Sequence, residues 1–158
     1  PEKGPNGVTY KTSVQYNDYI ISRQTTLLEK IMKFSSAAQI DLDSADKLLD
    51  GYVVDASTMI KEIKGMPAFR KDTTFRNAAV NSFTFYRKAF DEYYRDIIRI
   101  RRENADDADE QLDKVLEKLT ADEERNDRAF QKAQEQFAKN NKMRLKDNEM
   151  QNKIDELE

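Results

Sequence analysis

Phe83-Thr84-Phe85-Tyr86-Arg87-Lys88-Ala89-Phe90-Asp91-Glu92-Tyr93-Tyr94-Arg95-Asp96-Ile97-Ile98-Arg99-Ile100 is the stretch that decides the fold. Its large apolar residues at 83, 86, 90, 93, 97 and 100 are spaced 3, 4, 3, 4 and 3 residues apart. That spacing puts six side chains on one stripe of an α-helix and alternates with charged positions on the other face. A strand would need a period of two, which this stretch lacks.

The same pattern recurs on either side. Tyr16, Ile20, Leu27, Ile31, Phe34 and Ala38 form one row, with Arg23 and Gln24 filling its one missing step. Leu42, Ala45, Leu49, Tyr52, Ala56, Ile60 and Ile63 form another. The two rows join in phase, but Asp41, Asp43 and Asp46 suit a first helical turn better than a helix interior, so a break is expected near 39–41. Gly65-Met66-Pro67 ends the second helix, with Gly65 expected as a left-handed cap. Gly51 inside that helix suggests a close helix contact or a small kink. Arg99, Arg101 and Arg102 mark a helix end, Asn104 is a plausible cap, and Asp106, Asp107, Asp109 and Glu110 open the next helix. The last row is Leu112, Leu116, Leu119, Phe130, Ala133 and Phe137, with Glu123 and Asn126 at its two middle steps.

The expected fold is therefore all-α. It is an antiparallel up-down four-helix bundle over 13–142, with helices at about 13–38, 42–64, 72–102 and 106–142. The last helix is long. Residues 1–12, rich in Gly and Pro, are expected to form a mobile leader, and 143–158 a helical extension or frayed tail.

Composition narrows the function. The 158 residues fit one domain, and 36% charged against 38% hydrophobic residues suits helices that each bury one stripe. There is no Cys and no His. That removes disulfides, thiolate chemistry, His-ligated metal sites and a His base for a serine nucleophile. No Gly-rich phosphate loop and no membrane-spanning apolar run is present. Residues 1–102 carry 17 Lys and Arg against 13 Asp and Glu, a net +4; residues 103–158 carry 10 against 17, a net −7. This split suits helices packed side by side and gives no basic face for nucleic acid. The start at Pro1 rather than Met leads to the expectation of a processed or trimmed chain, in which any export signal or lipid anchor would lie upstream of Pro1 and be lost with it.

Few residues stand out as candidate sites. Glu123 and Asn126 on the core row of the last helix face the gap at Arg23 in the first, which suggests a core polar layer of Arg23, Glu123 and Asn126. Asp41-x-Asp43-x-x-Asp46 is the densest acidic cluster, but it lacks the Gly and the distal Glu of a calcium loop, so no metal and no cofactor is expected. Phe85 and Tyr94 fall off the apolar stripe and are candidates for an exposed patch that binds a partner. Arg95, Arg99, Arg101 and Arg102 have acidic neighbours and read as intramolecular pairs.

Longer motifs carry a resemblance. Lys64-Gly65-Met66-Pro67-Ala68-Phe69, then Asp72, Phe75-Arg76-Asn77-Ala78-Ala79, Phe83-Thr84-Phe85-Tyr86 and Glu92-Tyr93-Tyr94 resemble an uncharacterised family of bacterial surface proteins. Tyr16-Asn17-Asp18-Tyr19-Ile20 and the segment Phe130–Ala138 fit the same pattern, so the resemblance spans about 13–142. Its members, from spirochaetes and Bacteroidetes, are similar to exported helical lipoproteins. The resemblance implies a helical bundle outside the cytoplasm, in the periplasm or on the outer-membrane surface, and brings no established activity or functional residues. The expected function is a non-catalytic cell-envelope protein that binds or scaffolds another macromolecule. The alternative is a self-assembling structural module that uses its C-terminal helix; a carboxylate-based enzyme is the weakest reading.

Overall fold

A computed structural model describes residues 2–3, 7 and 9–145, and the described fold is all-α. Thr12 opens α1 (Ser13–Ile40) by accepting the Gln15 N–H on its side-chain oxygen at 3.2 Å. Asp41 then leaves the helix with extended dihedrals and caps α2 (Leu42–Lys64). Its carboxylate accepts from the Asp43 N–H at 3.2 Å and from the Ser44 hydroxyl at 2.7 Å. The acidic residue that weakens one helix thus starts the next.

The connection after α2 departs from the expected cap. Gly65 is right-handed at φ −78°. The left-handed residues are Arg70 and Lys71, at φ 49° and 69°, at the tip of a tight turn. Phe69 and Asp72 close that turn with reciprocal backbone hydrogen bonds of 2.9 Å. The turn lets Phe69 fold back into the core, where it is buried.

The third rod has three parts: α3 (Thr74–Lys88), a π-helical turn (Ala89–Tyr93) and α4 (Tyr94–Glu103). The Tyr94 N–H reaches back five residues to the Ala89 carbonyl. Asn104, left-handed at φ 45°, ends the rod, and α5 (Ala108–Asn140) follows. Among the described residues none of these helices is long and apolar enough to cross a membrane.

Specific pairs join the rods. Arg23–Glu62 at 2.9 Å and Lys30–Asp55 at 3.1 Å link α1 to α2. Arg95–Asp50 at 2.9 Å and Arg102–Asp46 at 3.1 Å link α4 to α2. Asn126 donates to the Ser82 hydroxyl at 3.2 Å between α5 and α3, and Gln134 donates to Asn17 at 2.9 Å between α5 and α1. Tyr16, Phe69, Phe75 and Phe137 form an aromatic cluster where the start of α1 meets the end of α5, with ring centroids 5.0–5.6 Å apart.

Within the expected leader 1–12, the described residues 2–3 and 9–12 carry structure. Strand β1 (Glu2–Lys3) pairs antiparallel with β2 (Thr9–Tyr10). Tyr10 is 1% exposed, its ring edge-on to Tyr16 and Tyr19. An aromatic residue just before the first helix closes the end of the core and so anchors the segment. Of the expected tail, Met143 packs on the core and its N–H bonds the Ala138 carbonyl at 2.8 Å. Residues 146–158 lie outside the described residues.

Gly51 serves no close contact: a Cβ added there meets nothing within 4 Å. Gly51→Ala is therefore expected to raise stability by about 0.5–1 kcal/mol, by removing backbone freedom from the unfolded chain. Urea unfolding checks this, and a lower midpoint for the variant would contradict it.

Candidate functional site

The π turn sets the geometry of the candidate site. An added residue per turn advances the helix phase, so the core face shifts from Phe90 and Tyr93 to Tyr94 and Ile98. Tyr94 is 6% exposed and stacks on Phe34 with centroids 4.7 Å apart and planes 16° apart. This corrects the expectation of an exposed patch at Phe85 and Tyr94. Tyr94 is core. Phe85 is half-buried, its ring edge-on to Tyr86. A wheel at 100° per residue cannot foresee the change, because it assumes an unbroken α-helix.

Tyr94 instead floors a groove. Ile31, Phe34, Ser35, Ala38 and Gln39 of α1 form one wall, Leu116, Leu119 and Thr120 of α5 the other, and Ile97 and Arg101 of α4 complete it. The volume is about 310 Å³. The start of α5 stands off from α1 here: Leu119 is buried, but Leu116 is 45% exposed. Leu112 and Val115 are only half-buried, and Ile40 lies exposed at the end of α1.

Among the described residues Arg101 is the one formally charged residue lining the groove. One arm, Nη1, donates to the Ala38 carbonyl at 3.0 Å. Its neighbours differ from it. Arg99 meets Glu103 at 3.2 Å, and Arg102 bonds both Asp43 and Asp46. Two members of the acidic cluster at 41–46 are thus taken up by Arg102. Among the described residues Arg101 has no ion pair, and no three acidic groups converge to hold a metal ion.

The polar layer exists with different members. Glu123 is 4% exposed and Ser82 is fully buried, with Asn126 bonded to Ser82. Arg23 is not part of it. It pairs with Glu62 of α2, its guanidinium 3.4 Å from the Tyr19 ring centre. The core position in α1 belongs to Gln24, 5% exposed, which continues the step from Ile20. Two tyrosines join the layer: Tyr86 donates to Asp127 at 3.4 Å, and Tyr93 donates to Asp122. Burial pushes the Tyr86 phenol well above its ordinary pKa, and the charges of Asp127 and Glu123 add to this. The hydrogen bond to Asp122 pushes Tyr93 up to about 12. The same bond, with Arg125 and Lys88, holds Asp122 below the usual carboxylate range. Tyr86 and Tyr93 are apolar-row residues in the sequence, and only their hydroxyls could have hinted at this second role.

Neither Glu123 nor Tyr86 lines the groove, so its walls offer shape and a single cation. Comparison of the chain with protein-family models, curated proteins and solved structures gives no match.

Proposed function

We propose that this chain is a non-catalytic helical-bundle protein of the cell envelope that binds or scaffolds another macromolecule, and that the groove between α1, α4 and α5 receives it. The groove carries this reading. It is concave and apolar, with one cation at its edge, the usual character of a binding site. The ionisable groups of the polar layer sit elsewhere, held by hydrogen bonds inside the core, as befits a structural role.

An up-down antiparallel order is part of the proposal. Its support is that contacts rising along one helix fall along the next. Arg23 and Lys30 meet Glu62 and Asp55, Ser82 and Tyr93 meet Asn126 and Asp122, and Tyr16 and Asn17 meet Phe137 and Gln134. An extracytoplasmic location rests on the resemblance of the Lys64–Phe69 and Phe75–Tyr94 motifs to exported bacterial surface proteins, and cell fractionation tests it.

The groove is tested with an apolar anionic fluorophore, anilinonaphthalene sulfonate. One molecule is expected to bind each folded chain. Leu116→Glu is expected to weaken that binding by at least about tenfold, while stability stays within about 0.5 kcal/mol because Leu116 is already 45% exposed. Dye binding that ignores Leu116→Glu would remove the groove as a docking site.

A further inference from the structure

We infer that the end of the bundle away from the groove is a membrane-docking tip, whose cations set the molecule end-on upon a bilayer bearing anionic phosphate head groups. The inference stands apart from the docking reading of the groove.

Three contacts build the tip. The Tyr16 hydroxyl donates to the Pro67 carbonyl at 2.8 Å, Arg76 donates to the Met66 carbonyl at 2.9 Å, and Phe69 packs on Phe137. They join the start of α1, the 65–73 connection, the start of α3 and the end of α5. Segments 9–20, 60–78 and 132–145 meet there with ten Lys and Arg against four Asp and Glu, a net +6. Segments 37–50 and 95–118, at the other end, carry seven against twelve, a net −5. Charge is therefore polarised along the helices.

Backbone conformation singles out three of these cations. Arg70, Lys71 and Lys142 have φ of 49°, 69° and 55°. Left-handed backbone crowds a side chain that has a Cβ, and two-residue turns of this kind ordinarily use Asn and Gly. Among the described residues the remaining non-glycine residue with positive φ is Asn104, a type that accepts it. The Arg-Lys pair gives up that backbone ease and places two exposed charges at the tip of a turn. The arrangement is fixed in place. The Arg70 guanidinium lies 5.2 Å from the centre of the buried Phe69 ring and donates to the Asn141 side-chain oxygen at 3.1 Å. Lys142 is the next residue, so all three left-handed cations share one site.

Their charge is not cancelled locally. Among the described residues the exposed side chains of Lys64, Lys71, Lys139 and Lys142 form no ion pair. Glu62 is held by Arg23 at 2.9 Å, and Asp72 accepts the Thr74 N–H at 2.8 Å. At the opposite end Arg95, Arg99 and Arg102 each hold a carboxylate. Lys64 and Lys139 also complement the carbonyl ends of α2 and α5, but Arg70 and Lys71 lie outside the helices and have no such task.

The tip lacks what other partners need. Tyr10, Tyr16, Phe69, Phe75 and Phe137 are buried there, and Tyr19 lies under the Arg23 guanidinium, so no ring is offered for a base to stack on. Protein interfaces centre on aromatic or other large anchors. Among the described residues Val14 is the one large apolar side chain well exposed at this end. Cations without anchors respond to charge density, which a plane of lipid phosphates supplies. The acidic far end adds to the selection: a negative plane draws the tip and repels the other end, and so stands the bundle upright. The groove, with Thr120 about 25 Å along α5 from Phe137, is then carried clear of the surface.

The test sediments the full chain with vesicles of phosphatidylcholine and phosphatidylglycerol in equal parts, and with phosphatidylcholine alone. Binding is expected to the first only, and is expected to fade as salt rises to about 0.5 M. Lys71→Gln with Lys142→Gln should weaken it by about tenfold or more. Lys33→Gln with Lys47→Gln removes the same charge from exposed positions away from the tip and should change it by less than about twofold. Lys71→Gly should weaken binding yet raise the thermal midpoint, because glycine suits φ 69°. Leu116→Glu should leave vesicle binding intact, so the groove can fail without the tip. No sedimentation with anionic vesicles at low salt overturns the inference, as does an equal loss from the two double changes. Vesicles left unbound while a short DNA duplex binds, or while light scattering shows self-association, with either sensitive to Lys71→Gln and Lys142→Gln, would give the tip to a nucleic acid or to a second copy and overturn it as well.

Discussion

Phe137→Ala is expected to lower the unfolding free energy by about 4 kcal/mol, within the range for deleting a buried Phe side chain. The Phe137 ring is buried, with ring centres 5.4 Å from Tyr16, 5.6 Å from Phe69 and 5.0 Å from Phe75. These four residues come from α1, the 65–73 connection, α3 and α5, so one ring binds four segments distant in sequence. Its loss leaves a cavity that the three remaining rings, each packed on other elements, cannot collapse to fill. Aromatic pairing adds to the buried area, and three such pairs vanish together. Domains of this size hold only about 5–15 kcal/mol, so the change takes a large share. Denaturant unfolding measures it. A loss under about 2 kcal/mol would mean that the site relaxes and that the cluster does not hold the ends of the bundle together.

Helical class was legible because it depends on spacing alone. Phe83, Tyr86, Phe90 and Tyr93 are buried as their shared stripe requires, while past the π turn Ile97 is only half-buried and Ile98 takes the core side. Asp41 was legible too, since an acidic side chain can cap a helix only where the helix begins. Rotation within the stripe was not. Arg23 and Gln24 shared one gap, and which of them faces the core depends on where α2 and α5 sit. Arg23 found Glu62, and Gln24 went inside.

Tyr94 failed to read for a different reason. The π turn at Ala89–Tyr93 changes the phase of the rod, and no residue in Ala-Phe-Asp-Glu-Tyr announces it as Pro or Gly would announce a break. The groove follows from that change, because it brings Tyr94 inward and puts Arg101 at the rim. Leu112 and Leu116 looked like ordinary core positions, and only the stand-off of α5 reveals them as partly open. The candidate site was thus invisible as a site: Ile31, Phe34, Ala38, Ile97, Leu116 and Leu119 read as core-row residues, Tyr94 as an exposed patch and Arg101 as one of the paired arginines at a helix end. Tyr10 was missed because a single aromatic residue ahead of a helix has no period to betray it.

Alkaline unfolding is expected to be steep, and the polar layer is the cause. Tyr86 and Tyr93 are both buried, and both have folded pKa values above the ordinary value near 10, Tyr93 at about 12 and Tyr86 raised by burial. Below pH about 10 both states keep these protons, so the stabilising contribution is complete. Above it the unfolded chain ionises while the folded one does not, and stability falls until pH passes the folded pKa. Each phenol that keeps its proton in the fold removes up to about 1.4 kcal/mol per pH unit, so stability falls as the pH climbs from about 10 toward the folded pKa values. Tyr52, also raised by burial, adds in the same direction. Urea unfolding at stepped pH, with phenolate absorbance recorded in parallel, measures the slope. Tyr86→Phe and Tyr93→Phe should each flatten it, and Tyr86→Phe gives up a 3.4 Å hydrogen bond to Asp127. A slope that neither variant changes would show that these phenols ionise as freely in the fold as outside it, and the layer would lose its claim to be buried.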